Sequence, residues 1–397
     1  MERALALVFG YLLGSFSPAW LLGRTLRHID IREHGFGTTG TANAFRVLGA
    51  GPGLLSALVN AGKGLLAMLV ARLMGLSPPF ILASGAAAAL GHLLPFYLRF
   101  RGGEGTTVCA ALLGVNLFFL VSDHPFPWHV NLLLGLCVAA VLFITRQPVM
   151  LGITAVPLLG WALVRYVPAS PLWWYSLGLL AFLLGTSALH IRRGRLMSRT
   201  DSARRKMKLW RFLIRPAAMA FPVLLVVAGR TFTLVLLGVV TAVFLAMDVA
   251  RLSAGRINLF LFRRAKNTFK QAERTRLSSM TGFLLASLVV MLVFDATVTW
   301  YAMAFLVFGD FAAKYFGLQY GRTRLFRKTL EGSLAHLLAC LAVGTIINSW
   351  LPLGIEVVAL GALAATVLEV LPLGVDDNLT VGILGATALH LGRDLFG

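Results

Sequence analysis

The segment Gly35-Phe36-Gly37-Thr38-Thr39-Gly40-Thr41-Ala42-Asn43, preceded by Arg32 and followed by Arg46, has the composition of an anion site. Gly35, Gly37 and Gly40 admit positive φ and close backbone approach, so successive N–H groups can converge on a phosphate. Arg32 and Arg46 would add charge-assisted hydrogen bonds. A tight turn between two apolar segments accounts for the same glycines equally well. Two further features bear on the choice. Lys63 lies inside an apolar run, in Asn60-Ala61-Gly62-Lys63-Gly64, where a lysine is costly unless it pairs, snorkels or faces a polar site. Gly91-His92-Leu93-Leu94-Pro95 ends another apolar run and is followed by Phe100-Arg101-Gly102-Gly103-Glu104-Gly105. Polar backbone at such depth is tolerated only where it is buried in protein or lines a cavity.

The second half carries a different chemistry. Asp310, Glu331, Glu369 and Asp376 could supply carboxylates to Mg²⁺, and Lys314, Arg322 and Lys328 could cover phosphates, as phosphoryl transfer from a nucleotide requires. Taken singly, Asp310 or Asp377 reads as a solvated loop acid. Glu369, well inside an apolar stretch, is a site candidate by default. The chain has only 16 acidic residues, and these gather near the expected inner ends of three spans.

Those residues must be held by membrane-spanning helices. Of 397 residues, 58% are hydrophobic and 13% charged, a balance far from that of soluble domains. Apolar runs of spanning length are expected near 4–23, 54–74, 79–98, 106–122, 130–145, 149–165 and 172–191, and again near 216–229, 231–249, 281–294, 297–308, 332–350, 355–373 and 379–392. The fold class is therefore all-α and polytopic, with about 14 transmembrane helices arranged seven plus seven. Placing Met1 outside puts nearly every basic loop inside, as the positive-inside rule requires. Residues 201–215, rich in Arg and Lys, form a basic cytoplasmic linker between domains at 1–200 and 216–397. The net charge of +20 sits between apolar spans, which excludes a continuous nucleic-acid groove and favours anionic lipids as neighbours. Cys109, Cys137 and Cys340 have no metal-ligand spacing and read as packing residues.

The run from Gly14-Ser15 to Pro18, Asp30-Ile31-Arg32, the glycine loop with Asn43 and Arg46, Lys63-Gly64, Gly91-His92 with Pro95, and Gly102-Gly103 occur in the order of a known family. Residues 1–200 resemble the acyl-phosphate-dependent glycerol-3-phosphate acyltransferases, the PlsY family of seven-span enzymes. The resemblance implies acyl transfer from an acyl phosphate to the 1-hydroxyl of glycerol 3-phosphate on the cytoplasmic side of the cell membrane, without a cofactor. It implies His92 as catalytic, and Ser15, Arg32, Gly35, Gly37, Gly40, Asn43, Arg46, Lys63, Gly102, Gly103 and His190 as substrate-binding. The chain departs from the family pattern at Phe36 for serine, Thr38 for asparagine, Ala42 for threonine, Asn60 for aspartate, Glu104 for lysine and Arg193 for asparagine.

In the second half, Asp310 with Gly317, Lys328-Thr329-Leu330-Glu331-Gly332-Ser333, Glu369 and Asp377-Asn378-Leu379-Thr380, together with Asp248, Arg251 and Thr281-Gly282 upstream, are similar to the dolichol, phytol and diacylglycerol kinase group. That resemblance implies CTP as phosphoryl donor, Mg²⁺, and a lipid alcohol such as diacylglycerol or a prenol as acceptor. Asp310 and Glu331 would be catalytic. Lys314, Arg322, Lys328, Thr329, Gly332, Ser333, Asp377 and Asn378 would hold the nucleotide, and Asp310, Glu331, Glu369 and Asp376 the metal. The whole reads as a fused membrane enzyme of phospholipid biosynthesis. The alternatives are a lipid kinase with a degenerate, non-catalytic acyltransferase half, and a lipid transporter or scramblase. Against the last, the halves share no inverted repeat and the polar motifs cluster on one side.

Overall fold

A helix crosses the hydrocarbon core of a bilayer with about 20 apolar residues. Among the described residues, ten helices meet that length and apolarity, and Ser279–Val293 is a shorter apolar helix. The chain is a multi-pass, mostly helical membrane protein. The computed structural model describes residues 1–192, 217–253, 276–373 and 376–396, so the basic linker at 201–215 lies outside the described residues. The chain divides into two compact units, Met1–Pro127 with Val149–Leu196, and Trp128–Pro148 with Met197–Gly397.

In the first unit, α1 (Glu2–Ser15) and α2 (Pro18–Arg27) form one broken span. Pro18 cannot donate to the helix before it, and Ser17 caps α2 by accepting from the Trp20 amide at 3.4 Å. A short helix, α3 (Thr41–Leu48), leads into α4 (Ala50–Leu73), followed by α5 (Pro78–Leu93) and α6 (Thr106–Asp123). Small residues let α1 and α5 pack with their backbones in contact: a Cβ on Gly14 would meet the Ala88 backbone, and one on Gly91 the Tyr11 carbonyl. α7 (Trp128–Thr145) packs within the second unit, whereas α8 (Leu151–Tyr166) and α9 (Pro171–Arg192) complete the first.

The second unit continues with α10 (Ala220–Val227), α11 (Arg230–Ser253) and α12 (Ser279–Val293). Residues 297–308 are expected as a short span followed by a loop from 309. Instead α13 (Ala296–Ala304) runs through a π-turn at Phe305–Gly309 into α14 (Asp310–Tyr320), one span of 25 residues. Nothing between Gly309 and Tyr320 breaks a helix, and the Lys314–Asp310 pair at i,i+4 supports it. A second departure from the all-α expectation is a two-stranded antiparallel ladder, β1 (Arg324–Leu325) with β2 (Lys328–Thr329), which presents Lys328. Then come α15 (Leu330–Asn348), α16 (Ile355–Val370), the turn α17 (Asp377–Leu379), a π-segment at Thr380–Leu384, and α18 (Gly385–Phe396). Tyr301, Phe305, Val307, Val358, Ala362 and Leu389 lie in the apolar core of this unit.

Candidate functional site

In the first unit the broken α1–α2 span frees carbonyls at membrane depth, and Lys63 supplies their donors. Its Nζ donates to Gly14 O at 2.8 Å and Phe16 O at 3.2 Å, and lies 2.7 Å from His92 Nδ1. Lys63 is 3% and His92 4% exposed, so neither is available as a surface charge. The glycine pair completes the arrangement. Gly102 N donates to Leu93 O and Gly103 N to His92 O, and a Cβ on Gly103 would strike His92 Nε2. Glycine at 103 thus lets the chain lie directly on the imidazole. Ser15 is the last residue of α1, at the break itself, its hydroxyl donating one turn back to Tyr11 O at 2.8 Å.

The glycine loop is organised by Asn43, which is fully buried. Its Nδ2 donates to the carbonyls of Ile31, His34 and Thr38, and its Oδ1 accepts from Phe36 N. Gly35 takes φ +63° against that Oδ1, where a side chain would collide. This corrects the expectation that successive loop amides converge on an anion. Phe36 N goes to Asn43, Gly37 N to His34 O, Thr39 N to Gly102 O and Gly40 N to Thr38 Oγ1. The loop satisfies itself because buried amides without partners are costly; the anion-favouring end that remains is the start of α3 at Thr41. There Thr41 Oγ1 accepts from Asn60 Nδ2 at 3.0 Å and lies 3.1 Å from Thr107 Oγ1.

The two arginines differ in role. Arg32 forms a double contact with Asp30, Nε to Oδ1 at 3.0 Å and Nη2 to Oδ2 at 2.7 Å, and donates to Leu98 O. It fixes the loop's entry instead of standing free for a substrate. Arg46 is exposed, its guanidinium 4.6 Å from the Phe36 ring, so Phe36 serves as a cation–π platform. His190, on the last turns of α9, places Nε2 3.1 Å from Glu104 Oε2.

The Arg32 guanidinium holds the Asp30 carboxyl down to about 2. A depressed carboxyl contributes stability that is present above the ordinary range near pH 4 and is lost as pH falls through its folded value. Asp30→Asn is therefore expected to lower the unfolding midpoint of detergent-purified protein near neutral pH, by a loss of roughly 2 kcal/mol. The two proteins should converge by about pH 2. Parallel curves from neutral to acid pH would show that the pair contributes nothing.

In the second unit, residues distant in sequence meet at Lys328. Its Nζ bonds Glu369 Oε1 at 2.6 Å and Asp377 Oδ2 at 2.7 Å. Burial works against the ammonium, but Glu369 and Asp377 overcome it and raise its pKa. Asp376 Oδ1 accepts from Asn378 N and Nδ2, and Asn378 Nδ2 also reaches Ser279 O. A Cβ on Gly282 would stand 3.0 Å from Asp376 Oδ1. At the start of the same helix, Thr281 Oγ1 and Ser278 N both donate to Asp248 Oδ2, while Arg251 Nε and Nη2 donate to Asp248 Oδ1. Asp248, Arg251 and Thr281, quoted above with the kinase-like pattern, are thus brought together, and Ser278 joins them through its amide.

Elsewhere Lys314 pairs with Asp310. Glu331 accepts from the Arg322 and Thr323 amides, and Arg322 Nη2 donates to Phe143 O and Ile144 O at the end of α7. Arg322 is therefore committed to protein carbonyls. Thr329 caps α15 through Gly332 N, and the Ser333 hydroxyl donates to Thr329 O. Among the described residues, no group of three or more His, Cys, Asp or Glu side chains stands close enough to hold a metal ion. Asp310, Glu331, Glu369 and Asp376 are placed instead with Lys314, Arg322, Lys328 and Asn378. His336 joins this region unannounced: buried, with Nδ1 2.9 Å from Thr366 Oγ1 and its ring against Gly309 at the π-turn.

Comparison with known proteins bears on the first of these arrangements. Residues 4–197 match the family model of glycerol-3-phosphate acyltransferase. The glycerol-3-phosphate acyltransferase of Thermosynechococcus vestitus is 46% identical over 123 residues, 28% of this chain and 58% of that protein. That of Synechococcus sp. strain CC9902 is 38% identical over 142 residues, 36% of this chain and 66% of that protein. The crystal structure of PlsY, an integral membrane glycerol 3-phosphate acyltransferase, in its glycerol 3-phosphate form is 26% identical, covering 49% of this chain and 92% of that one, with a TM-score of 0.39. The chain spans 49% to 66% of the length of the first curated relatives it matches.

Proposed function

We propose that the first unit transfers an acyl group from an acyl phosphate to the 1-hydroxyl of glycerol 3-phosphate, releasing lysophosphatidate and inorganic phosphate at the cytoplasmic face. The observation that carries this reading is Lys63, which ties the α1–α2 break to His92, on which the Gly102–Gly103 pair lies. Three segments of the family motif thereby meet at one buried point, and the glycine loop reaches it through the Thr39–Gly102 hydrogen bond. Holding donor and acceptor against a preorganised polar site is the main source of rate in such a transfer. Purified protein given acyl phosphate and labelled glycerol 3-phosphate should form lysophosphatidate with equal release of inorganic phosphate. No labelled lipid in detergent or in liposomes would sink the reading and leave a scaffold.

For the second unit we propose phosphorylation of a lipid alcohol with CTP as donor. What supports it is the meeting of Lys328 with Glu369 and Asp377, and of Asp376 with Gly282, which gathers the motif residues into one polar region. Membranes incubated with labelled CTP and a panel of diacylglycerols and prenols should yield a labelled lipid phosphate. Lipid flux into liposomes without turnover of either donor would favour a transporter over both proposals.

A further inference from the structure

His336 lies on α15 between the π-turn at Phe305–Gly309 and Thr366 of α16, and is 1% exposed. Its Nδ1 is 2.9 Å from Thr366 Oγ1, and the Thr366 hydroxyl donates to Ala362 O at 2.8 Å. A hydroxyl has a single proton to give and a backbone carbonyl can only accept. Both contacts are therefore made only if Nδ1–H donates to Thr366, and the network assigns the tautomer. Nε2 then carries the lone pair. It has no hydrogen-bond partner among the described residues.

A buried acceptor without a donor is costly, and folded proteins seldom keep one without a use. The surroundings of Nε2 indicate the use. It lies against Gly309, where a Cβ would stand 2.6 Å away, so glycine keeps a side chain out of that spot. Gly309 ends a π-turn, a feature frequent at functional sites, and directly precedes Asp310. The Cys340 thiol, one turn on, is directed at Phe305 O at 3.8 Å. On the facing helix, Thr366 is one turn from Glu369, whose Oε1 holds Lys328. The unpaired nitrogen thus sits one turn further into α16 than the ion pair of the proposed nucleotide region. Leu363 and Val367, beside Thr366, are exposed, so a hydrocarbon chain has apolar surface to lie on. The missing group must be a donor. A neutral one suits the setting, because a buried ammonium would need a counter-charge.

We infer that His336 Nε2 receives the hydrogen bond of a lipid alcohol's hydroxyl, which places the head of the acceptor between the π-turn and α16. This rests on the phosphorylation reading above for the identity of the ligand. His336 and Thr366 belong to none of the motif residues of that reading, and their part is to hold and orient the hydroxyl.

The test uses full-length wild type, His336→Phe, His336→Leu and Thr366→Val in detergent. The probes are dioctanoylglycerol and a long-chain prenol, each beside its O-methyl ether, which keeps the oxygen and lacks the donor. Dissociation constants come from ligand-dependent unfolding midpoints. Wild type should bind one of the alcohols about ten-fold more tightly than its ether, the upper end of what a hydrogen bond supplies. His336→Phe keeps a ring and removes the nitrogen, so its preference should shrink to within about two-fold. His336→Leu provides the same comparison if the Phe variant does not fold. Thr366→Val lets the ring proton move to Nε2 and should lose most of the preference too. A full preference in any of these variants, once folded, overturns the site. So does wild type that binds neither alcohol, or binds alcohol and ether alike, the result expected if Nε2 holds only a buried water. Labelled CTP is supplied in parallel. Wild type that prefers the alcohol as expected but forms no labelled lipid phosphate upholds the hydroxyl site and overturns the phosphorylation reading instead.

Discussion

Lys63→Met is expected to lower kcat/KM for acyl transfer by about 10²-fold or more while leaving the protein inserted in the membrane. Met keeps the length of the side chain and removes its charge and donors. The Gly14 and Phe16 carbonyls, freed by the break before Pro18, would then lose the ammonium that satisfies them. Each buried carbonyl left unpaired costs about 1–3 kcal/mol, so the thermal midpoint should fall as well. His92 would lose the neighbour at its Nδ1, and the glycine pair resting on the ring would lose its reference. Lys63→Arg is no rescue, because a planar guanidinium cannot direct one compact charge at two carbonyls and an imidazole. The double measurement separates two readings. A variant with a lowered midpoint but wild-type kcat/KM would make Lys63 a structural strut and remove the buried point as the centre of the reaction.

Lys63 was legible in the sequence because a lysine inside an apolar span has few physical options. The seven apolar runs of the first half were legible for the same reason, since the bilayer fixes their length, and each corresponds to a candidate span. The inner economy of the glycine loop was not. Composition shows that amides can converge, but only the fold shows that Asn43 and neighbouring carbonyls consume them. The Glu104–His190 pair was equally hidden: each residue was visible as a departure or a survivor of a motif, yet no local pattern joins α9 to the loop before α6. In the second half the span lengths misled. A π-turn inserts one residue into the helical register and carries the chain straight through Gly309-Asp310, where the change in polarity reads as a loop. Arg322 illustrates the same limit, for a cation that suits phosphate suits the carbonyl end of a helix as well.

Lys328→Met should destabilise the second unit by about 3–5 kcal/mol, the cost of leaving a buried charge without its counter-ion. Glu369 is 3% exposed, its Oε1 is held by Lys328 at 2.6 Å, and its Oε2 has no hydrogen-bond partner among the described residues. Removing the ammonium leaves that carboxylate uncompensated in an apolar helix. Asp377 loses the same partner but is half exposed, so water takes over there and the cost is small. Glu369→Gln in the Lys328→Met background should therefore recover most of the stability, whereas Asp377→Asn should recover little. The sign with pH follows from the raised pKa of Lys328. Its contribution is complete below the ordinary lysine value near 10.4 and is lost only as pH rises through the folded value, so the comparison holds throughout the neutral range. The cycle is read from unfolding midpoints of the four proteins in one detergent. Additive losses from Lys328→Met and Glu369→Gln would mean the two side chains do not interact, and the polar region proposed to bind CTP would lose the contact that draws it together.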